Sequence, residues 1–105
     1  MESPILIDVW TVDSARQHEL VRVLTENFQR LIPKQPGFVS AQIYESANGG
    51  TVLMEIRMQS AEDRRRMTDA ADVQQAYREV RKIASSHRHF YRLVASFGES
   101  SPPPL

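Results

Sequence analysis

The segment 87–92, HRHFYR, gathers two of the chain's three histidines with a tyrosine and two arginines. Histidine titrates near neutral pH, so His89 has the chemistry of a general base. Tyr91, two residues on, could help it deprotonate and orient a phenol. Arg92, beside Phe90, offers a planar guanidinium that can hold a phenolate or a carboxylate. Strand alternation sets His87, His89 and Tyr91 on one face and Arg88, Phe90 and Arg92 on the other. Both orientations are open in the sequence. A second group of side chains suits a flat aromatic molecule: Phe28, Phe38, Met54, Met58, Met67, Tyr77 and Phe90. Taken singly, each also fits ordinary core packing at these periods. His18 falls on the polar side of a helix, and the run Arg64-Arg65-Arg66 fits a solvated helix face.

The totals narrow the chemistry. The 105 residues suffice for one domain with a single core. Thirteen basic residues balance thirteen acidic ones, so nothing points to nucleic acid or to an anionic membrane. No cysteine is present, which excludes disulfides, thiolate catalysis and zinc–thiolate sites, and no metal ligand set is expected. Neither a phosphate-binding loop nor a glycine-rich dinucleotide fingerprint occurs. The N-terminus lacks a basic region followed by an apolar run, no segment has the length to cross a bilayer, and the expected location is the cytoplasm.

The elements that must carry these groups follow from periodicity. Residues 4–12, PILIDVWTV, alternate as a strand with Ile5, Ile7 and Val9 on one face and Asp8 and Trp10 on the other. Ser14 with Gln17 has the spacing of a helix cap, and an apolar stripe runs from Leu20 to Ile32 until Pro33, Pro36 and Gly37 end it. Within 36–60, Asn48-Gly49-Gly50 supplies a tight turn between two alternating segments, the second and third strands. Ser60 with Asp63 starts a short helix, Asp72 with Gln75 caps a longer one, and 87–97 alternate as a fourth strand.

The order β-α-β-β-α-β predicts an α+β, ferredoxin-like fold: both helical segments cover one face of a four-stranded antiparallel sheet. Residues 1–97 form the domain, and the polar, proline-rich 98–105 form a disordered tail. Ile5, Ile7, Val9, Val39, Ala41, Ile43, Val52, Met54, Ile56 and Met58 are expected to face the helices. Trp10, Gln42, Tyr44, Glu55 and Arg57 are then left on the opposite face, where a second copy would bury the aromatics and pair the charges. A homodimer through that face is expected.

The layout, with its PGFVSA (36–41), MQSAED (58–63) and late strand HFYRLVASF (89–97), resembles the antibiotic biosynthesis monooxygenase family over residues 5–97. The resemblance implies a dimeric α+β barrel with a cavity between sheet and helices, and cofactor-independent oxidation of an aromatic polyketide of the anthrone or quinol type with O₂. Such chemistry needs a base, donors for an oxyanion and an apolar chamber in which the substrate anion meets O₂. Haem-degrading members carry other residues where this chain has Ile7, Met58 and Met67, and many members have tryptophan where Met58 stands. A cyclase or isomerase on a similar aromatic substrate, or a non-catalytic binding protein of this fold, are the alternatives.

Overall fold

A computed structural model describes residues 4–98. The chain runs β1 (Ile5–Thr11), α1 (Gln17–Phe28), β2 (Phe38–Glu45), β3 (Thr51–Met58), α2 (Ala61–Asp69), α3 (Ala71–Val80) and β4 (Ser85–Tyr91). The strands form one antiparallel sheet in the order β2-β3-β1-β4. This is the expected ferredoxin-like α+β arrangement, with the helices on one face. None of the helices among the described residues is long and apolar enough to cross a membrane.

Several local expectations hold in detail. In α1 the buried residues Leu20, Leu24 and Phe28 recur every fourth residue and form the stripe that meets the sheet. Ser60 caps α2: its hydroxyl accepts from the Asp63 backbone N–H at 3.0 Å and donates to the Asp63 carboxylate at 2.9 Å. In the β2–β3 turn Gly49 takes φ +89°, and the Asn48 side-chain oxygen accepts from the Gly50 N–H at 3.1 Å.

Other boundaries differ. Helix α1 begins at Gln17, and no side chain caps it. The Gln17 amide instead lies 3.0 Å from the carbonyl oxygens of both Ser46 and Thr51, tying the helix start to the hairpin turn. Asp72 sits inside the first turn of α3 instead of capping it. Strand β4 starts at Ser85 and ends at Tyr91, so 92–97 lie beyond it; the tail, Gly98 apart, lies outside the described residues. A bulge between Phe38 and Ser40 puts Phe38 opposite Met58 and takes Val39 out of the ladder.

The main correction concerns the two faces of β1. Asp8 pairs with Met54, Trp10 with Val52 and Leu6 with Ile56, and all six are buried. Leu6, Asp8 and Trp10 therefore face the helices, while Ile5, Ile7 and Val9 share the outer face with Arg57, Glu55 and Leu53. Both sets on β1 are apolar enough to be core. Trp10 decides between them, because its ring has the larger area to bury, and it does so stacked on Tyr77 of α3 at 6.0 Å. Trp10 thus has no place on an outer interface. Gln42, Tyr44, Glu55 and Arg57 do lie on the outer face.

Gly37 makes the turn into β2 at φ +81°, and its carbonyl accepts from the Gln59 N–H at 2.7 Å. A methyl group there would overlap the Asp63 carboxylate that orders the start of α2. Gly37→Ala is therefore expected to destabilise by about 2 kcal/mol or more, from the left-handed conformation plus the overlap. Urea unfolding measures this, and an unchanged midpoint would refute it.

Candidate active site

Strand order and helix packing divide the inner face into three zones. Over β2 and β3, α1 and the turn after it leave an open apolar cavity of about 300 Å³. Phe28 and Ile32 form one side of it, and Phe38, Ile43, Met54 and Ile56 form the other. Its polar contributors are Thr25 and Gln29, and none of its ten lining residues is titratable. The Thr25 hydroxyl already donates its proton to the Val21 carbonyl at 2.8 Å, which leaves the Gln29 amide as the lining side chain able to donate to a bound molecule.

Over β1 the face is closed. Tyr77 stacks on Trp10, and its ring meets Phe28 edge-on with centroids 4.9 Å apart. Its hydroxyl donates to Asp8 Oδ2 at 2.6 Å, and Arg88 Nε on β4 donates to Asp8 Oδ1 at 3.3 Å. The Arg88 guanidinium also lies over the Tyr77 ring, 4.4 Å from its centroid. Asp8 is fully buried, and a buried carboxylate persists only when its oxygens are satisfied, here by one phenol and one guanidinium. Over β4 lies a third zone, a polar cavity between α3, the end of α2 and Arg88.

Burial pushes the Asp8 carboxyl above its ordinary 3.8, against the lowering effects of the Tyr77 hydrogen bond and of Arg88 and Arg81. Burial, with the adjacent Asp8 charge and hydrogen bond, pushes the Tyr77 hydroxyl well above its ordinary 10.0. Tyr77 is therefore a fixed donor here and a poor proton source.

The residues expected to do chemistry are distributed over all of this. Phe28, Phe38 and Met54 line the apolar cavity. Met58 and Met67 are buried in the core and do not line it. Tyr77 stands between the two cavities. Phe90 faces the helices from β4, half-exposed under the Arg64 guanidinium at 3.8 Å. His89 and Tyr91 pair with Ile7 and Ile5 on the outer face, so the structure does not bring them to either cavity, and Arg92 is exposed beyond the end of β4. Arg88 and Phe90, not the histidine set, face the helices. Asp8 and Arg88 are the residues the sequence reading passed over. An aspartate in the middle of an otherwise apolar strand was the available signal.

A small α+β sheet with an apolar chamber under its first helix defines a class that the comparisons identify. Tetracenomycin-F1 monooxygenase of Streptomyces glaucescens is 31% identical over 97 residues, covering 92% of this chain and 87% of that protein. The chain belongs to the antibiotic biosynthesis monooxygenase family. No family model matches it. Among solved structures, the monooxygenase from the ActVA-Orf6 gene of Streptomyces coelicolor, in complex with nanaomycin D, aligns at TM-score 0.81 and 24% identity over 94% of each chain. SnoaB, a cofactor-independent oxygenase from Streptomyces nogalater, aligns at TM-score 0.73 and 14% identity, covering 94% of this chain and all of its own. These structural likenesses show the shared fold.

A carboxyl whose folded-state pKa is raised favours the folded state fully below the ordinary carboxylate range. That contribution is lost as pH rises through the raised value. Asp8→Asn removes this dependence. Urea midpoints of the two proteins, compared between about pH 3 and pH 8, should shift progressively in favour of the variant as pH rises. A flat difference, or one that grows in favour of Asp8, would contradict the burial effect.

Proposed function

We propose that the protein is a cofactor-independent monooxygenase that oxidises an aromatic polyketide of the anthrone or quinol type with O₂. The observation that carries this reading is the apolar cavity between α1 and the β2–β3 hairpin, wide enough for a flat aromatic ring and lined by Phe28, Phe38 and Met54. The monooxygenase relative supports it, as does the fold shared with a cofactor-independent oxygenase.

In this mechanism the substrate itself supplies the electrons. Once ionised, an electron-rich anthrone carbanion or phenolate reduces O₂, and the radical pair recombines at carbon as a hydroperoxide. Loss of water leaves the carbonyl, so CH₂ plus O₂ becomes C=O plus H₂O. The protein's part is to exclude water from the anion, hold the ring and donate to the developing oxyanion. Gln29 is the donor assigned here. The wall holds no titratable side chain, so the substrate's proton is lost to solvent at the open side of the cavity, and it is the monooxygenase relative that favours this reading over a cyclase or isomerase.

The test is oxygen uptake on an anthrone or hydroquinone with no added cofactor. Oxygen-dependent quinone formation is expected. Gln29→Leu should lower kcat at least about tenfold, short of the losses seen on removing fully buried oxyanion donors. Ala41→Trp, which fills the cavity from an exposed position on β2, should raise KM at least about tenfold. Turnover in the absence of oxygen, or variants that behave as wild type, would overturn the proposal.

The same reading includes a homodimer through the outer face of the sheet. Tyr44 and Tyr91 are 51% and 47% exposed there, and Val94 and Phe97 beyond β4 are 86% and 89% exposed. The Ser40 hydroxyl on that face is buried without a hydrogen-bond partner among the described residues. Sedimentation equilibrium should give twice the chain mass, and Leu53→Arg should return it to one chain. A wild-type protein that sediments as a monomer at micromolar concentration would exclude the dimer.

A further inference from the structure

The polar cavity beyond Tyr77 has no part in the proposed oxidation. It measures about 220 Å³ and is bounded by Thr68, Gln74, Tyr77, Arg78, Arg81 and Arg88. Three of its six residues are arginines and none is acidic. Several basic side chains on or beside the helices meet carboxylates, among them Arg22 with Glu26, Arg66 with Asp63, and Lys82 with Glu79. Those of this cavity are differently placed. Arg78 is steadied by a neutral acceptor, Gln75 Oε1, at 2.8 Å from its Nη2. Arg81 has no carboxylate partner among the described residues and stands with its guanidinium 5.4 Å from the Tyr77 ring centroid. Arg88 commits Nε to Asp8 and has its two remaining nitrogens without a carboxylate.

One buried carboxylate, Asp8, is thus set against three guanidiniums around a concave polar site, in a chain whose formal charge is zero. Such a cavity concentrates positive potential, and guanidinium forks match the oxygen geometry of carboxylates and phosphates. We propose that this cavity binds a compact oxyanion, a carboxylate or phosphate group, through Arg78, Arg81 and the free edge of Arg88. Small organic acids and phosphate compounds share that chemistry. The site lies across the Phe28–Tyr77 contact from the apolar cavity, and its occupancy is read as binding, independently of any turnover.

Titration calorimetry on the full chain at low salt, with benzoate, inorganic phosphate and the neutral benzamide, tests the proposal. At least one anion should bind and benzamide should not. Arg78→Gln and Arg81→Gln should each weaken binding about tenfold or more, as expected for loss of a charge-assisted contact. Arg22→Gln, on α1 and outside the cavity's lining, should bind as wild type. Arg81→Lys, which keeps the charge and loses the fork, should recover part of the affinity. Benzoate alone would assign the site to organic acids, and phosphate alone to phosphate compounds. The proposal is overturned if neither anion binds up to about 10 mM. It is equally overturned if benzamide binds as well, or if Arg78→Gln and Arg81→Gln both bind like wild type.

Discussion

The organisation of this molecule depends on one buried hydrogen bond, from the Tyr77 hydroxyl to Asp8 at 2.6 Å. It joins the middle of the sheet to α3 at a point with no access to water. A carboxylate in that position is costly unless it is paired, and Arg88 on the neighbouring strand completes the pairing. Tyr77 can reach Asp8 only if Leu6, Asp8 and Trp10 face the helices. The bond and the Trp10–Tyr77 stack therefore support the same strand orientation. That orientation places Ile5, Ile7 and Val9 on the other side of the sheet, beside Leu53.

From this bond follows the division of the inner face. The Trp10–Tyr77–Phe28 aromatic group fills the space over β1, so a molecule entering under α1 finds an apolar wall that ends at Phe28. The charged groups lie beyond that wall, around Arg88. The separation is physically sensible for an oxygenase without a cofactor. An electron-rich anion reacts with O₂ best where neither water nor a strong donor quenches it, and the apolar zone offers one side-chain amide and no titratable group. The family relationship and the chamber both support the proposed oxidation.

Much of this was legible in the sequence, and the exceptions have physical reasons. The hairpin, the Ser60 cap, the α1 stripe and the element order rest on local signals with one physical solution each. The face of β1 does not, because ILIDVW alternates two apolar sets and only tertiary packing of Trp10 against α3 chooses between them. The same choice governs β4. Once Asp8 points inward, its neighbour Arg88 follows, and His89 and Tyr91 go to the outer face with Ile7 and Ile5. Sequence patterning found Phe28, Phe38 and Met54 for the cavity. It could not separate them from Met58 and Met67, because wall and core residues share one periodicity and differ only in where α1 leaves room.

A crystal structure of the protein with a planar quinone product tests the account most directly. The ring should lie in the cavity under α1, against Phe28 and Met54, with an oxygen within hydrogen-bond reach of Gln29. A ring bound instead on the outer face of the sheet, against His89 and Tyr91, would contradict it.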